Sequence, residues 1–177
     1  MDEDRKDTDG EGNFIMKFTS GRLSLYFTDV MYPITVDNLR FVSGIDLYLY
    51  FKAKFFKVDT LAKYLFLGNE GNRLYWGEYY RAIEYLEELN TKEWEAARES
   101  YLIQTLLWKV ESDDIFVGVL LETGNEDIVS VGSNLVLDNG FDPYKRIKVG
   151  EGLNLLGKSL VKVRKVIRDE NKTIKEA

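Results

Sequence analysis

The stretch from Gly150 to Arg168 constrains the fold most. It opens Gly150-Glu151-Gly152-Leu153-Asn154-Leu155-Leu156-Gly157-Lys158-Ser159-Leu160 and continues in a helical pattern. Leu156, Leu160, Val163 and Ile167 recur at three- and four-residue steps, so they share one face of a helix that must bury itself against something apolar. Gly150 and Gly152 permit backbone angles that other residues avoid. The first amides of such a helix have no intrahelical partner and sit at the positive end of its dipole, so the turn has the chemistry to hold an anion. A plain loop before a surface helix has the same spacing, and the rest of the chain must decide between the two.

Composition narrows the chemistry. The 177 residues, 45% hydrophobic and rich in Tyr (11) and Phe (10), suit one folded domain with a good core. No apolar run approaches the roughly 18 residues of a membrane span, and the acidic N-terminus has no signal-peptide pattern. With that, a cytoplasmic location is expected. Cysteine is absent, which excludes disulfides and thiolate chemistry. Histidine is absent too, which excludes Ser-His-Asp triads and most zinc sites. Acid–base work falls to carboxylates, Lys or Tyr, and no metal or cofactor is expected. The net charge is −6; residues 1–13, with six acids and two bases, carry −4 of it. An acidic chain disfavours non-specific nucleic-acid binding.

The pattern along the chain predicts a mainly helical α+β domain with a few short strands. Residues 1–13 read as a disordered acidic tail, 14–170 as the domain and 171–177 as a flexible end. Strands are expected at Phe14–Phe18, at Tyr32–Val36 returning through Asp37-Asn38 to Leu39–Val42, and at Ile128–Val131. Ser43, with Asp46 three residues on, caps a buried helix over Ile45–Val58, although the alternation Leu47-Tyr48-Leu49-Tyr50-Phe51 also fits a strand. Asp59 or Thr60 caps a short helix through Leu67, and Gly68–Asn72 is a turn cluster. Tyr79–Leu89 is amphipathic. Asn90 with Glu93 opens a long helix, Lys92 to Val110, striped by Trp94, Ala97, Tyr101, Thr105 and Trp108. Asp113 caps a helix that Gly124 stops, and Ser133–Ile147 is an irregular loop.

Several residues have both a structural and a chemical reading. Asp46 is a cap partner or an acid–base carboxylate. Lys52, with Lys54 behind it, is a solvated helix edge or a phosphate partner. Asn154 and Gly157 are a packing anchor or the frame of a ligand cradle. Trp94, Trp108, Tyr48 and Tyr50 are core aromatics or a stacking platform. Asp138 and Asp142 are turn formers or ligands.

In order, these segments resemble the NADAR superfamily, the YbiA-like proteins. The resemblance rests on Pro33-Ile34-Thr35-Val36-Asp37-Asn38, on Lys52, on Trp94 at the head of the long helix, on Leu120-Leu121-Glu122-Thr123-Gly124 before Ile128-Val129, and on Gly152-Leu153-Asn154-Leu155-Leu156-Gly157 running to Arg164. It spans roughly residues 20–168. It implies a NADAR-like fold, an ADP-ribose-like or ribosyl-phosphate ligand, and in active members N-glycosidic cleavage through an oxocarbenium-like transition state that needs a nearby carboxylate. It places ligand contacts at Lys52, Lys54, Tyr48, Trp94, Asn134, Gly152, Asn154 and Gly157.

The departures concern the carboxylates. Aligned without gaps, the helix glutamate falls on Ile45; one inserted residue brings in Asp46 and Tyr48 but moves the lysine to Ala53. The loop aspartate falls on Asn134 or Leu135, with Asp138 the nearest acid, and Ser130 stands where an acid follows the strand. The expectation is a degenerate member that binds an ADP-ribose-like nucleotide or a protein partner without cutting. The alternatives are an active N-glycosidase or ADP-ribosyl hydrolase using Asp46 or Asp138, and an unrelated acidic helical interaction module. Small size, acidity and divergence also suit a virus-encoded counter-defence protein.

Overall fold

The computed structural model describes residues 17–18, 21–68, 75–131, 134, 136–138 and 152–176. The acidic tail, residues 14–16 of the first expected strand, residues 69–72 of the turn cluster, most of the 133–147 loop with Asp142, and Gly150 lie outside them. The chain divides into two compact units, Ser24–Val117 and a second made of Met1–Leu23 with Gly118–Ala177.

In the Ser24–Val117 unit, Asp37 and Asn38 both take positive φ, 47° and 66°. That pair of angles is what a two-residue type I′ hairpin demands, and Asp and Asn tolerate it. It joins β2 (Ile34–Val36) to β3 (Leu39–Phe41) antiparallel, with Ile34 opposite Phe41 and Val36 opposite Leu39. β1 (Lys17–Phe18) belongs to the other unit. The period of two turns Ile34, Val36 and Phe41 onto Leu47, with Tyr50, Phe51, Phe66 and Trp108 packed around them.

Leu47 lies on α1 (Gly44–Phe55). Its alternating apolar run leaves helix and strand open, and the cap decides: Ser43 Oγ accepts the Asp46 amide at 3.3 Å. Ile45, Leu47, Tyr48, Leu49 and Ala53 are all buried, as a helix that is apolar nearly all round requires. α2 is only Asp59–Ala62, not the expected run through Leu67, and Val58 rather than Asp59 or Thr60 is its N-cap. The Asp59 carboxylate instead pairs with Lys54 at 2.5 Å. Leu67 donates its amide to the Arg40 carbonyl, which draws the chain out of the helix and onto the hairpin.

α3 (Trp76–Glu88) starts three residues earlier than its pattern indicates. α4 (Lys92–Ser112) is capped by Thr91, whose Oγ1 accepts the Trp94 amide at 3.2 Å. The expected cap, Asn90, spends its side-chain amide on the Glu95 carboxylate. α1 packs along both α3 and α4. Asp113 caps α5 (Asp114–Glu122) as expected, accepting the Phe116 amide at 2.9 Å.

In the other unit, Gly124 at φ +62° ends α5. β4 (Ile128–Val129) pairs parallel with β1. α6 (Leu155–Glu176) follows, with Leu156, Leu160, Val163 and Ile167 all buried, as the spacing predicts. α6 lies so close to β4 that a Cβ at Gly157 would stand 2.0 Å from the Ile128 carbonyl oxygen. Two arginines on α6 finish the end of α5: Arg164 donates to Thr123 Oγ1, and Arg168 to Asn125 and the Gly124 carbonyl. The described residues thus form a mainly helical α+β fold with two small sheets. None of the described helices is long and apolar enough to cross a membrane.

Two glycines give opposite expectations. Gly157→Ala forces backbone apart and should cost about 2–3 kcal/mol, lowering Tm by about 4–10 °C. Gly118→Ala, on the exposed face of α5 with nothing within 4 Å of the new methyl, should be neutral or gain up to about 1 kcal/mol. Paired thermal melts read both.

Candidate functional site

The candidate residues divide between the two units. Asp46, Tyr48, Lys52, Lys54 and Trp94 are in the Ser24–Val117 unit; Asn134, Asp138, Gly152, Asn154 and Gly157 are in the other.

In the first group, α1 and α4 meet around Trp94. Its indole is 2% exposed and stacks on Tyr101 at 5.5 Å and 23°, with Phe55, Phe56 and Tyr48 at 5.2, 6.0 and 5.7 Å. The stacking surface that a ligand base would use is filled by the chain's own rings. Tyr48 is buried in the same cluster, and burial pushes its hydroxyl far above the ordinary range.

Lys52 lies on the rim of this cluster. It is 6% exposed, with Nζ 5.5 Å from the Trp94 ring centroid and 3.4 Å from the Glu87 carbonyl. Loss of hydration lowers its ammonium from the ordinary 10.5 to about 8; Glu87 opposes the change and Arg98 adds to it. An amine in this position is partly neutral in mildly alkaline solution, but the protein encloses it. Lys54 faces outward and is held by Asp59, whose hydrogen bond raises its pKa.

Asp46 is fully buried. Its amide serves the Ser43 cap, and its Oδ1 accepts the Tyr79 hydroxyl at 2.9 Å, which ties α1 to α3. The sequence gives only the first of these links, because Tyr79 is 33 residues away.

In the second group, Asn154 takes φ +50° and turns its side chain along β4. Its Oδ1 accepts the Ser130 amide at 2.8 Å and its Nδ2 donates to the Ile128 carbonyl at 3.0 Å. The amide group therefore continues the sheet by one rung, and Gly157 admits it, since a Cβ there would also press on both Asn154 side-chain heteroatoms. Asn134 forms an Asx turn, its Oδ1 accepting the amides of Val136 and Leu137. The carbonyls of that turn reach the head of α6: Asn154 donates to Asp138, Leu155 to Val136 and Leu156 to Leu137. Three amides expected to face an anion are thus taken by the chain. Gly152 is half-buried just before them.

Asp138 is 4% exposed and accepts the Ser130 hydroxyl at 2.5 Å. Burial pushes its carboxyl above the ordinary range, and the Ser130 and Asn134 hydrogen bonds restrain the rise. Ser130, read from sequence as a lost acid, is thus the direct partner of the remaining one.

The sequence reading missed Lys109. It is 4% exposed, with Nζ 4.7 Å from the Phe116 ring centroid and 5.9 Å from that of Phe27. With Asp29, Tyr32, Ser43 and Asp113 it lines a cavity of about 10 Å³, room for roughly one water. The signal was there: Lys109 follows Thr105 by four residues, so the buried stripe of α4 runs onto a charge. Among the described residues no cluster of three or more acids is placed to hold a metal.

No protein-family model matches the chain, and no curated protein matches it.

Lys52 sets a pH test. Because its folded pKa is depressed, the unfolded chain binds the extra proton between about pH 8 and pH 10.5, so stability contributed at this position rises with pH across that window. Urea unfolding of the native protein and of Lys52→Met from pH 7 to pH 11 should show native stability gaining on the variant between those limits and flat below pH 7.5.

Proposed function

We propose that this chain is a NADAR-like protein that works by binding an ADP-ribose-like nucleotide or a protein partner and does not cleave an N-glycosidic bond. The observation that carries this reading is the state of its two candidate carboxylates. Glycosidic cleavage needs one carboxyl group against the anomeric carbon and an acid at the leaving nitrogen. Asp46 has no exposed surface and holds Tyr79; Asp138 is almost as enclosed and holds Ser130. A carboxylate spent on an internal hydroxyl is not placed to support a developing cation outside. The three occupied amides at the head of α6 add a condition: the phosphates of such a nucleotide have to be met by other groups.

A second reading keeps one observation in its favour. Asp138 combines a raised pKa with a hydroxyl neighbour, a combination that also suits a general acid. On that reading the protein is an N-glycosidase or ADP-ribosyl hydrolase.

Turnover separates the two. With ADP-ribosylated guanosine or a ribosyl-aminopyrimidine, the binding reading expects no product, together with a rise in Tm on adding ADP-ribose, or a stoichiometric complex with a purified protein partner. Hydrolysis that disappears in Asp138→Asn or Asp46→Ala would overturn it. Independently of ligand, Asp46→Ala should cost about 1–3 kcal/mol in urea unfolding, because the Tyr79 hydroxyl loses its carboxylate acceptor.

A further inference from the structure

A pocket that none of the motifs addresses lies in the Ser24–Val117 unit, between the turn after α2 and the start of α3. It has a volume of about 210 Å³ and is lined, among the described residues, by Lys63, Tyr64, Phe66, Gly68 and Tyr75. Three of the five are aromatic, and they are arranged as walls. The Tyr64 and Tyr75 rings stand perpendicular, at 88° with centroids 6.1 Å apart, so they form a corner. Phe66 is anchored from behind, its ring 6.2 Å from Phe41 and 6.3 Å from Tyr50 in the hairpin core. The corner is therefore built on a rigid floor. Tyr75 is 61% exposed, which leaves one wall open to an entering ring.

Size and polarity select the occupant. A buried apolar cavity of about 150 Å³ is enough to take benzene, so 210 Å³ admits a two-ring system. Aromatic walls at right angles offer a face to stack on and an edge to meet. Among the described lining residues Lys63 is the charged one, exposed, with Nζ 4.9 Å from the Tyr64 ring centroid. A cation already resting over one wall can meet an anionic group carried by a ring placed against that wall. We propose that this pocket binds a planar aromatic ring, of one or two fused rings, bearing an anionic substituent paired with Lys63. Aromatic acids and mononucleotides share that chemistry.

NMR titration of the full chain tests it, with indole-3-acetate and AMP as the anionic rings, indole as the ring without charge and acetate as the charge without ring. At least one anionic ring should shift the Tyr64 and Tyr75 signals saturably; indole should bind about tenfold more weakly than indole-3-acetate, and acetate should leave the signals unmoved. Which of indole-3-acetate and AMP binds tighter names the source. Lys63→Gln, at an exposed position, should weaken the anionic rings about three- to tenfold and leave indole unchanged. Tyr64→Leu should weaken all of them at least tenfold. Absence of saturable shifts with both anionic rings, or shifts undiminished in both variants, would overturn the proposal. The reading of the chain as an ADP-ribose binder does not depend on the outcome, because an ADP-ribose thermal shift that survives Tyr64→Leu would leave that reading standing while this pocket fails.

Discussion

The close approach of α6 to β4 organises everything around the Gly152–Gly157 turn. A helix whose first turn touches a strand carbonyl cannot carry a side chain there, so position 157 has to be glycine. Asn154, bending into positive φ, offers its side-chain amide to β4 in both directions, accepting the Ser130 amide and donating to the Ile128 carbonyl. That bend brings the head of α6 under the carbonyls of residues 136–138, which accept the amides of residues 154–156. Three of the donors that a helix terminus leaves without intrahelical partners are thus met internally. Anion binding and internal capping compete for the same three N–H groups, and at this turn the chain takes them for itself.

The Ser24–Val117 unit solves a different problem with aromatic mass. Trp94 gathers Tyr48, Phe55, Phe56 and Tyr101 against α1, and each such contact adds to what area burial supplies. The helix also carries Lys52 and Asp46 into poorly hydrated surroundings, and each is accommodated by a long-range partner: the Trp94 face and the Glu87 carbonyl for the lysine, the Tyr79 hydroxyl for the aspartate. Partnering keeps the charges tolerable and also takes up the groups through which they could act on a ligand.

Local features were legible in the sequence. The hairpin turn at Asp37-Asn38, the Ser43 and Asp113 caps, the Gly124 stop and the buried face of α6 all follow from side-chain chemistry acting within a few residues. Two element ends differ from the local pattern, one for a local reason and one for a distant one. Asn90 and Thr91 are both good N-caps, and the one that lost has a glutamate to hold. α2 ended early because Leu67 had an edge to pair with 27 residues back, at Arg40. The candidate site was harder, because its state depends on partners far apart in the chain: Tyr79 for Asp46, Glu87 for Lys52, Ile128 for Asn154. A motif shows that a residue type is present at a spacing; it does not show that its hydrogen-bonding capacity is already used.

Used capacity is also the physical basis for preferring binding to cleavage. An oxocarbenium-like transition state is stabilised by negative charge held close to it and aimed at it before reaction, and a displacement of the order of 1 Å costs on the order of a hundredfold in rate. To act, Asp46 would have to release Tyr79 and leave a fully buried position, and Asp138 would have to release Ser130. Each rearrangement costs a buried hydrogen bond, of order 1–3 kcal/mol for the group left unpaired, before any stabilisation of the reacting sugar begins. Recognition carries no such requirement. It needs surface and shape, and the chain keeps both in its exposed aromatics: Tyr75, Trp76 and Tyr80 are each more than half exposed, with Trp76 and Tyr80 stacked 6.2 Å apart on one side of α3. Large rings left in water at the head of a helix are costly to keep and well suited to being covered.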